Sequence, residues 1–113
     1  MRATLLLLPT LLMAACASPP DTMSSASTDP QIAEGRFLAE IHCAACHAIG
    51  ADDRSKHPEA PPLRTLSRNY PVSALEEPLA EGIMVGHPEM PEFRFRPEDV
   101  AAMVAYLESI QAN

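Results

Sequence analysis

Residues 43–47 of this 113-residue chain read Cys-Ala-Ala-Cys-His, the one spacing in it that is dense in chemistry. On a turn of helix, residues three or four apart share a face, so both thiols and the imidazole of His47 project the same way. Two thiols set like this can bond the two vinyl groups on one edge of a porphyrin while the imidazole reaches its iron. C-x-x-C-H is the attachment signature of a c-type haem. The two alanines keep the turn slim, so a flat ring can lie close to the backbone. Three other chemistries use part of the pattern. A thioredoxin-like redox pair expects a βαβ setting. A structural zinc site needs four ligands, and His42, His57 and His87 lack the spacing that would complete one. A plain disulfide between Cys43 and Cys46 would suit an exported protein.

The elements that must position this motif are helical. No run of alternating β-branched residues and no Asn-Gly hairpin signal occurs, and there are no internal repeats. A first helix is expected from Asp29-Pro30 through QIAEGRFLAEIH toward Cys43, with Asp29 as N-cap and Pro30 at the first helical position. Gly35 inside it costs ~1 kcal/mol relative to Ala, which suggests close approach of another backbone or ring. A last helix starts near Pro97, with Glu98 and Asp99 in its first turn, where the helix dipole favours them. In it, Val100, Met103, Val104 and Leu107 follow the i, i+3, i+4, i+7 pattern, and Tyr106 and Ile110 extend the apolar face. Between the two, HPEAPPLRTLSRNYP holds four prolines and reads as loop, with one turn of helix at residues 63–67. Ser73 and Glu76 have capping-box spacing and Gly82 could close a helix. Pro78 sits awkwardly in that span and could instead open a short helix, 78–81.

The N-terminus reads MRATLLLLPTLLMAAC. Its apolar run is too short to span a bilayer, which needs ~20 apolar residues, and suits a secretory signal closed by small residues. Met13-Ala14-Ala15-Cys16 reads as a lipoprotein signal with Cys16 as the lipidated first residue. The rival is ordinary cleavage after Ala17, at Ala15-Cys16-Ala17. On the first reading residues 1–15 are signal peptide, on the second 1–17. The three cysteines fit either, because each leaves no free thiol once Cys43 and Cys46 hold a haem. Residues 16–30 form a Ser/Thr/Pro tether that cannot bury a core, with a reach of roughly 20 Å. Residues 31–113 are the folded domain, small enough to need a covalent staple or metal. Once Arg2 is removed, seven basic residues face fifteen acidic ones. Such a surface repels phosphates, so nucleic acid is excluded as a partner, and it favours partners with basic docking surfaces.

From residue 31 onward the chain resembles the class I cytochromes c, in particular small bacterial monohaem members. The shared features are Gly35, eight residues before the first haem Cys, then C-A-A-C-H, then the loop GHPEMPEF. The resemblance implies that Gly35 packs on an aromatic residue of the last helix, for which Tyr106 is the match, and that Met90 is the second axial iron ligand opposite His47. It also implies that a Pro carbonyl accepts a hydrogen bond from the His47 ring nitrogen that does not bind iron. Pro62 is the first choice for that role and Pro61 the other. Ala39 departs from members that carry an aromatic four residues before the first Cys.

Other sulfurs and imidazoles compete with Met90. Met103 lies on a helix face as core filler, and Met1, Met13 and Met23 fall in the signal or tether. Met84 sits in an apolar stretch and His87 would give bis-His ligation. Met90 precedes Pro91, which biases it to an extended backbone suited to a loop across the haem face. Arg64, Arg68 and Tyr70 are candidate donors to the haem propionates, or else an exposed basic loop. His42 and His57 are expected at the surface. Glu76, Glu77, Glu81, Glu89 and Glu92 form an acidic stretch that either docks a basic partner or is simply solvated.

The expected fold is all-α, with three to five short helices wrapped around one covalently bound haem c. The expected function is one-electron transfer rather than enzymatic catalysis, by a monomer in the periplasm that reaches a membrane through lipid on Cys16. A haem enzyme or gas sensor with an open sixth site is the alternative. A dedicated cytochrome subunit of a larger redox enzyme is another.

Overall fold

The computed structural model describes residues 29–82 and 89–112. Helix α1, Pro30–His42, begins where its cap chemistry places it: the Asp29 carboxylate accepts a hydrogen bond from the Gln31 amide at 2.9 Å. Helix α3, Pro97–Ser109, also has proline in its first turn. The Arg96 side chain closes onto Asp99 there, at 2.9 and 3.0 Å. No strand occurs among the described residues, and none of their helices is long and apolar enough to cross a membrane.

Helices α1 and α3 pack against each other at Gly35. A Cβ at that position would lie 2.6 Å from Tyr106 Cβ and would overlap the backbone carbonyl of Ala102. The mid-helix glycine therefore exists to let two helix backbones touch, and Tyr106 is the aromatic residue it meets. Ala39, one turn further on, is fully buried. At this position of the interface a small side chain fits where an aromatic would not.

Between the helices the chain makes a 3-10 helix, Leu63–Arg68, a second one, Val72–Leu75, and then α2, Glu76–Glu81. Ser73 makes no capping hydrogen bond, and α2 starts two residues before Pro78. Pro78 is tolerated because it lies in the first turn, where amide donors have no intrahelical partner to lose. Gly82 ends α2 with φ of 114°, a conformation that side chains rarely adopt. The core draws Leu38 and Ala39 from α1, Leu63, Leu66, Val72 and Leu79 from the middle, Phe95 from the following segment, and Val100, Ala102, Met103, Val104, Tyr106 and Leu107 from α3. The candidate signal, Cys16 and the tether as far as residue 28 lie outside the described residues, as do Met84 and His87, whereas Asp29 and Pro30 cap and open α1.

Candidate functional site

The C-x-x-C-H segment continues α1 as a tight helical turn. The Cys43 amide bonds back to the Ala39 carbonyl at 2.9 Å, and the His47 amide to the Cys43 carbonyl at 2.9 Å. That last bond is an i to i−4 helical contact, so it stacks His47 over Cys43 on one face. Cys43, Cys46 and His47 all line a single cleft of about 330 Å³. Both cysteines are half-buried, and they are not joined to each other. Burial pushes the Cys43 thiol up to about 11. A redox-active or nucleophilic cysteine needs the opposite, a depressed value from a helix N-terminus or a nearby cation. The described residues contain no strand, so the βαβ setting of a thioredoxin-like pair is absent from them. No cluster of three or more potential metal-binding side chains occurs among the described residues.

His47 is oriented by the loop that follows it. Its Nδ1–H donates to the Pro61 carbonyl at 2.8 Å. A carbonyl can only accept, so the proton sits on Nδ1 and the lone pair of Nε2 is left to bind a metal. The acceptor is Pro61, not Pro62. The Pro62 carbonyl caps the 3-10 helix instead, receiving the Thr65 amide at 3.0 Å and the Thr65 hydroxyl at 2.7 Å. Three further bonds fold this loop onto the motif. The Leu63 amide donates to the Ala48 carbonyl (2.9 Å), the Ala48 amide to the Ser55 hydroxyl (3.0 Å), and the His57 amide to the Cys46 carbonyl (3.1 Å).

Glu89, Met90, Pro91 and Phe93 line the same cleft. Its floor is the core itself, since Leu63, Leu66, Leu79, Met103 and Leu107 belong both to the buried cluster and to the cleft wall. Met103 is 1 % exposed and fills the position that its helix periodicity requires. A ligand in this cleft would complete the hydrophobic core rather than sit on it.

The three candidate propionate donors separate. Tyr70 lines the cleft, and burial raises its phenol above the ordinary value. Arg64 does not line it. Its Nη1 donates to the carbonyls of Gly50 (3.2 Å) and Asp53 (3.0 Å) and pairs with the Asp53 carboxylate, so it staples the loop after the motif. Arg68 is exposed at the end of its 3-10 helix and does not line the cleft either. The two arginines attracted attention as charges, but a guanidinium's direction depends on which carbonyls the fold brings near it.

Several residues gain roles that their types did not announce. His42 lines the cleft and packs against Phe93 and Phe95, with ring centres 5.7 and 5.1 Å away, the second in a T-shaped contact. His57, half-buried at the cleft, meets Glu89 at 2.7 Å. Phe93 and Phe95 alternate with charged residues in EFRFR, a short period-two pattern that could have marked them as facing inward. His57 and Glu89 lie 32 residues apart, and no local pattern links them.

The Cytochrome c family model matches residues 32–111. The chain belongs to the cytochrome c family. Comparisons with curated proteins and with solved structures returned no match. The family carries haem c, and the residues of this cytochrome fit it. Two thiols and an oriented imidazole share one face, beside an apolar cleft whose wall is continuous with the core. The protein is a haem-binding electron-transfer cytochrome, with Cys43 and Cys46 positioned for the thioethers.

Proposed function

We propose that this cytochrome is a class I, exported, one-electron carrier whose iron is held between His47 and Met90. The observation that supports the reading is that both axial candidates line one apolar cleft: His47, whose ring is held by Pro61, and Met90. The bound haem supplies a reversible one-electron couple. The chain's own residues do the rest. Pro61 holds the imidazole against rotation and raises its basicity through the Nδ1 hydrogen bond. The apolar wall of Leu63, Leu66, Leu79 and Leu107 excludes water, which favours the less charged, reduced state. A thioether ligand raises the potential in the same direction. With His47 and Met90 both holding the iron, no site would remain for peroxide or oxygen, as a carrier rather than a catalyst requires.

The same reading places the protein in the periplasm, attached by lipid on Cys16 through the tether of residues 16–30. It meets partners that present basic surfaces, because once Arg2 is removed seven basic residues face fifteen acidic ones. A carrier of this kind works as a monomer.

The test is optical. The oxidised, haem-loaded protein should show the Met-sulfur charge-transfer band, and Met90→Ala should abolish it while leaving the thioether-bound haem in place. A band that survives the substitution removes Met90 from the iron. Rapid carbon monoxide binding by the reduced wild type would favour the alternative, a sensor or enzyme with an open sixth site.

A further inference from the structure

We propose that His57 and Glu89 form a clasp across the cleft rim that slows release of Met90 from the iron. The inference deepens the His47/Met90 reading and rests on it.

Two fixed points make His57 suitable. Its backbone amide is bonded to the Cys46 carbonyl at 3.1 Å, so the residue is anchored to the haem-attachment turn. Its ring Nδ1 accepts the Glu59 amide at 3.3 Å. An Nδ1 that accepts places the ring proton on Nε2, and Nε2 is the atom that faces Glu89. The donor is therefore aimed before the acceptor arrives. Nε2 to Oε2 is 2.7 Å, the length of a hydrogen bond strengthened by charge. Glu89 is the immediate neighbour of Met90, so holding its carboxylate restrains the backbone from which the Met90 side chain extends.

The other restraints near this segment act further along the chain. Phe93 and Phe95 pack on His42, and the Phe95 amide bonds to the Leu79 carbonyl at 2.9 Å. They fix the C-terminal side of the loop. The clasp fixes the residue just before Met90 and ties it, through the His57 backbone, to the haem-attachment turn. Because the Glu89 side chain is 70 % exposed and that of His57 33 %, water competes for the bond and its effect is moderate.

The experiment measures displacement of the Met90 sulfur by added imidazole in the oxidised, haem-loaded protein, followed through the charge-transfer band. His57→Ala and Glu89→Ala should each speed displacement about threefold to fivefold. The double variant should be no faster than either single one, because the two side chains act as one unit. His57→Gln, which keeps an N–H donor, should recover part of the slow rate. Glu92→Ala serves as the control, since that carboxylate pairs with Arg94 rather than with His57, and it should leave the rate unchanged. A charge-transfer band that is absent from the wild type, or that persists in Met90→Ala, overturns the ligand reading and the clasp together. A band that behaves as expected, with both single variants displaced at the wild-type rate, overturns the clasp alone. So does a double variant whose acceleration is the product of the two singles.

Discussion

Replacing Gly35 with Ala sets two effects of known sign against each other. Alanine in a helix interior is favoured over glycine by ~1 kcal/mol, so helix propensity alone predicts a more stable protein. The new methyl, however, would stand 2.6 Å from Tyr106 Cβ and overlap the Ala102 carbonyl. Carbon atoms in contact prefer about 3.5–4.0 Å, so the helices must part by roughly 1 Å at their crossing. The nearest clashing group is backbone, and no rotamer change can relieve it. Overpacking of this kind costs about 1–3 kcal/mol, and the rigid partner puts Gly35→Ala at the upper end. After the helix-propensity gain, the expected net loss is about 2 kcal/mol. In a domain of this size that lowers the melting temperature by about 8–16 °C. The disturbance should also reach the site, because Tyr106 donates its hydroxyl hydrogen to the Ile49 carbonyl, two residues from His47. Thermal and denaturant unfolding of the haem-loaded protein, followed by far-ultraviolet circular dichroism, provides the assay. A variant as stable as wild type, or more so, would show that the α1–α3 crossing is not the close contact described here.

Other outcomes follow from the same geometry. Tyr106→Phe should cost ~1 kcal/mol through loss of the Ile49 bond, read by urea unfolding at neutral pH. Burial raises the Tyr106 phenol above the ordinary tyrosine value of about 10, so the stability tied to its neutral form is intact below pH 10 and declines as pH climbs through the raised value. The gap between wild type and Tyr106→Phe should accordingly narrow above pH 10, and a gap that widens would contradict this account of the buried phenol. Arg64→Ala should destabilise the fold by about 1–2 kcal/mol, since the side chain anchors two carbonyls, yet leave the reduction potential near that of wild type. A large shift in potential would place Arg64 on a propionate after all. A chain carrying Cys43→Ala and Cys46→Ala should lack a cooperative melt. The cleft wall is part of the hydrophobic core, and without the haem a domain this small would leave that wall exposed to water.

What could be read from the residues was local chemistry. Asp29 and Pro30 marked the start of α1, Pro97 and its acidic neighbours that of α3, and the spacing of Cys43, Cys46 and His47 the site. Gly35 was legible as a cost requiring compensation, and Tyr106 is the compensation. What escaped depended on direction. Pro61 and Pro62 are the same residue type in tandem, and which carbonyl faces His47 is decided by the 3-10 helix that claims Pro62. Arg64 carries the charge a propionate wants, but Gly50 and Asp53 take it first. The start of α2 at Glu76 escaped because Pro78 suggested a boundary, whereas a first-turn proline is harmless. The contact of His57 with Glu89 and that of His42 with Phe93 and Phe95 arise only when segments far apart in sequence come together.

The bond between polypeptide and porphyrin is the claim on which the account turns, and intact-mass spectrometry under denaturing conditions tests it most directly. Protein matured where haem attachment operates should have the mass of its chain plus one haem, and fragmentation should place that mass on the peptide containing Cys43 and Cys46. A mass equal to the bare polypeptide, with those two thiols free or joined to each other, would contradict it.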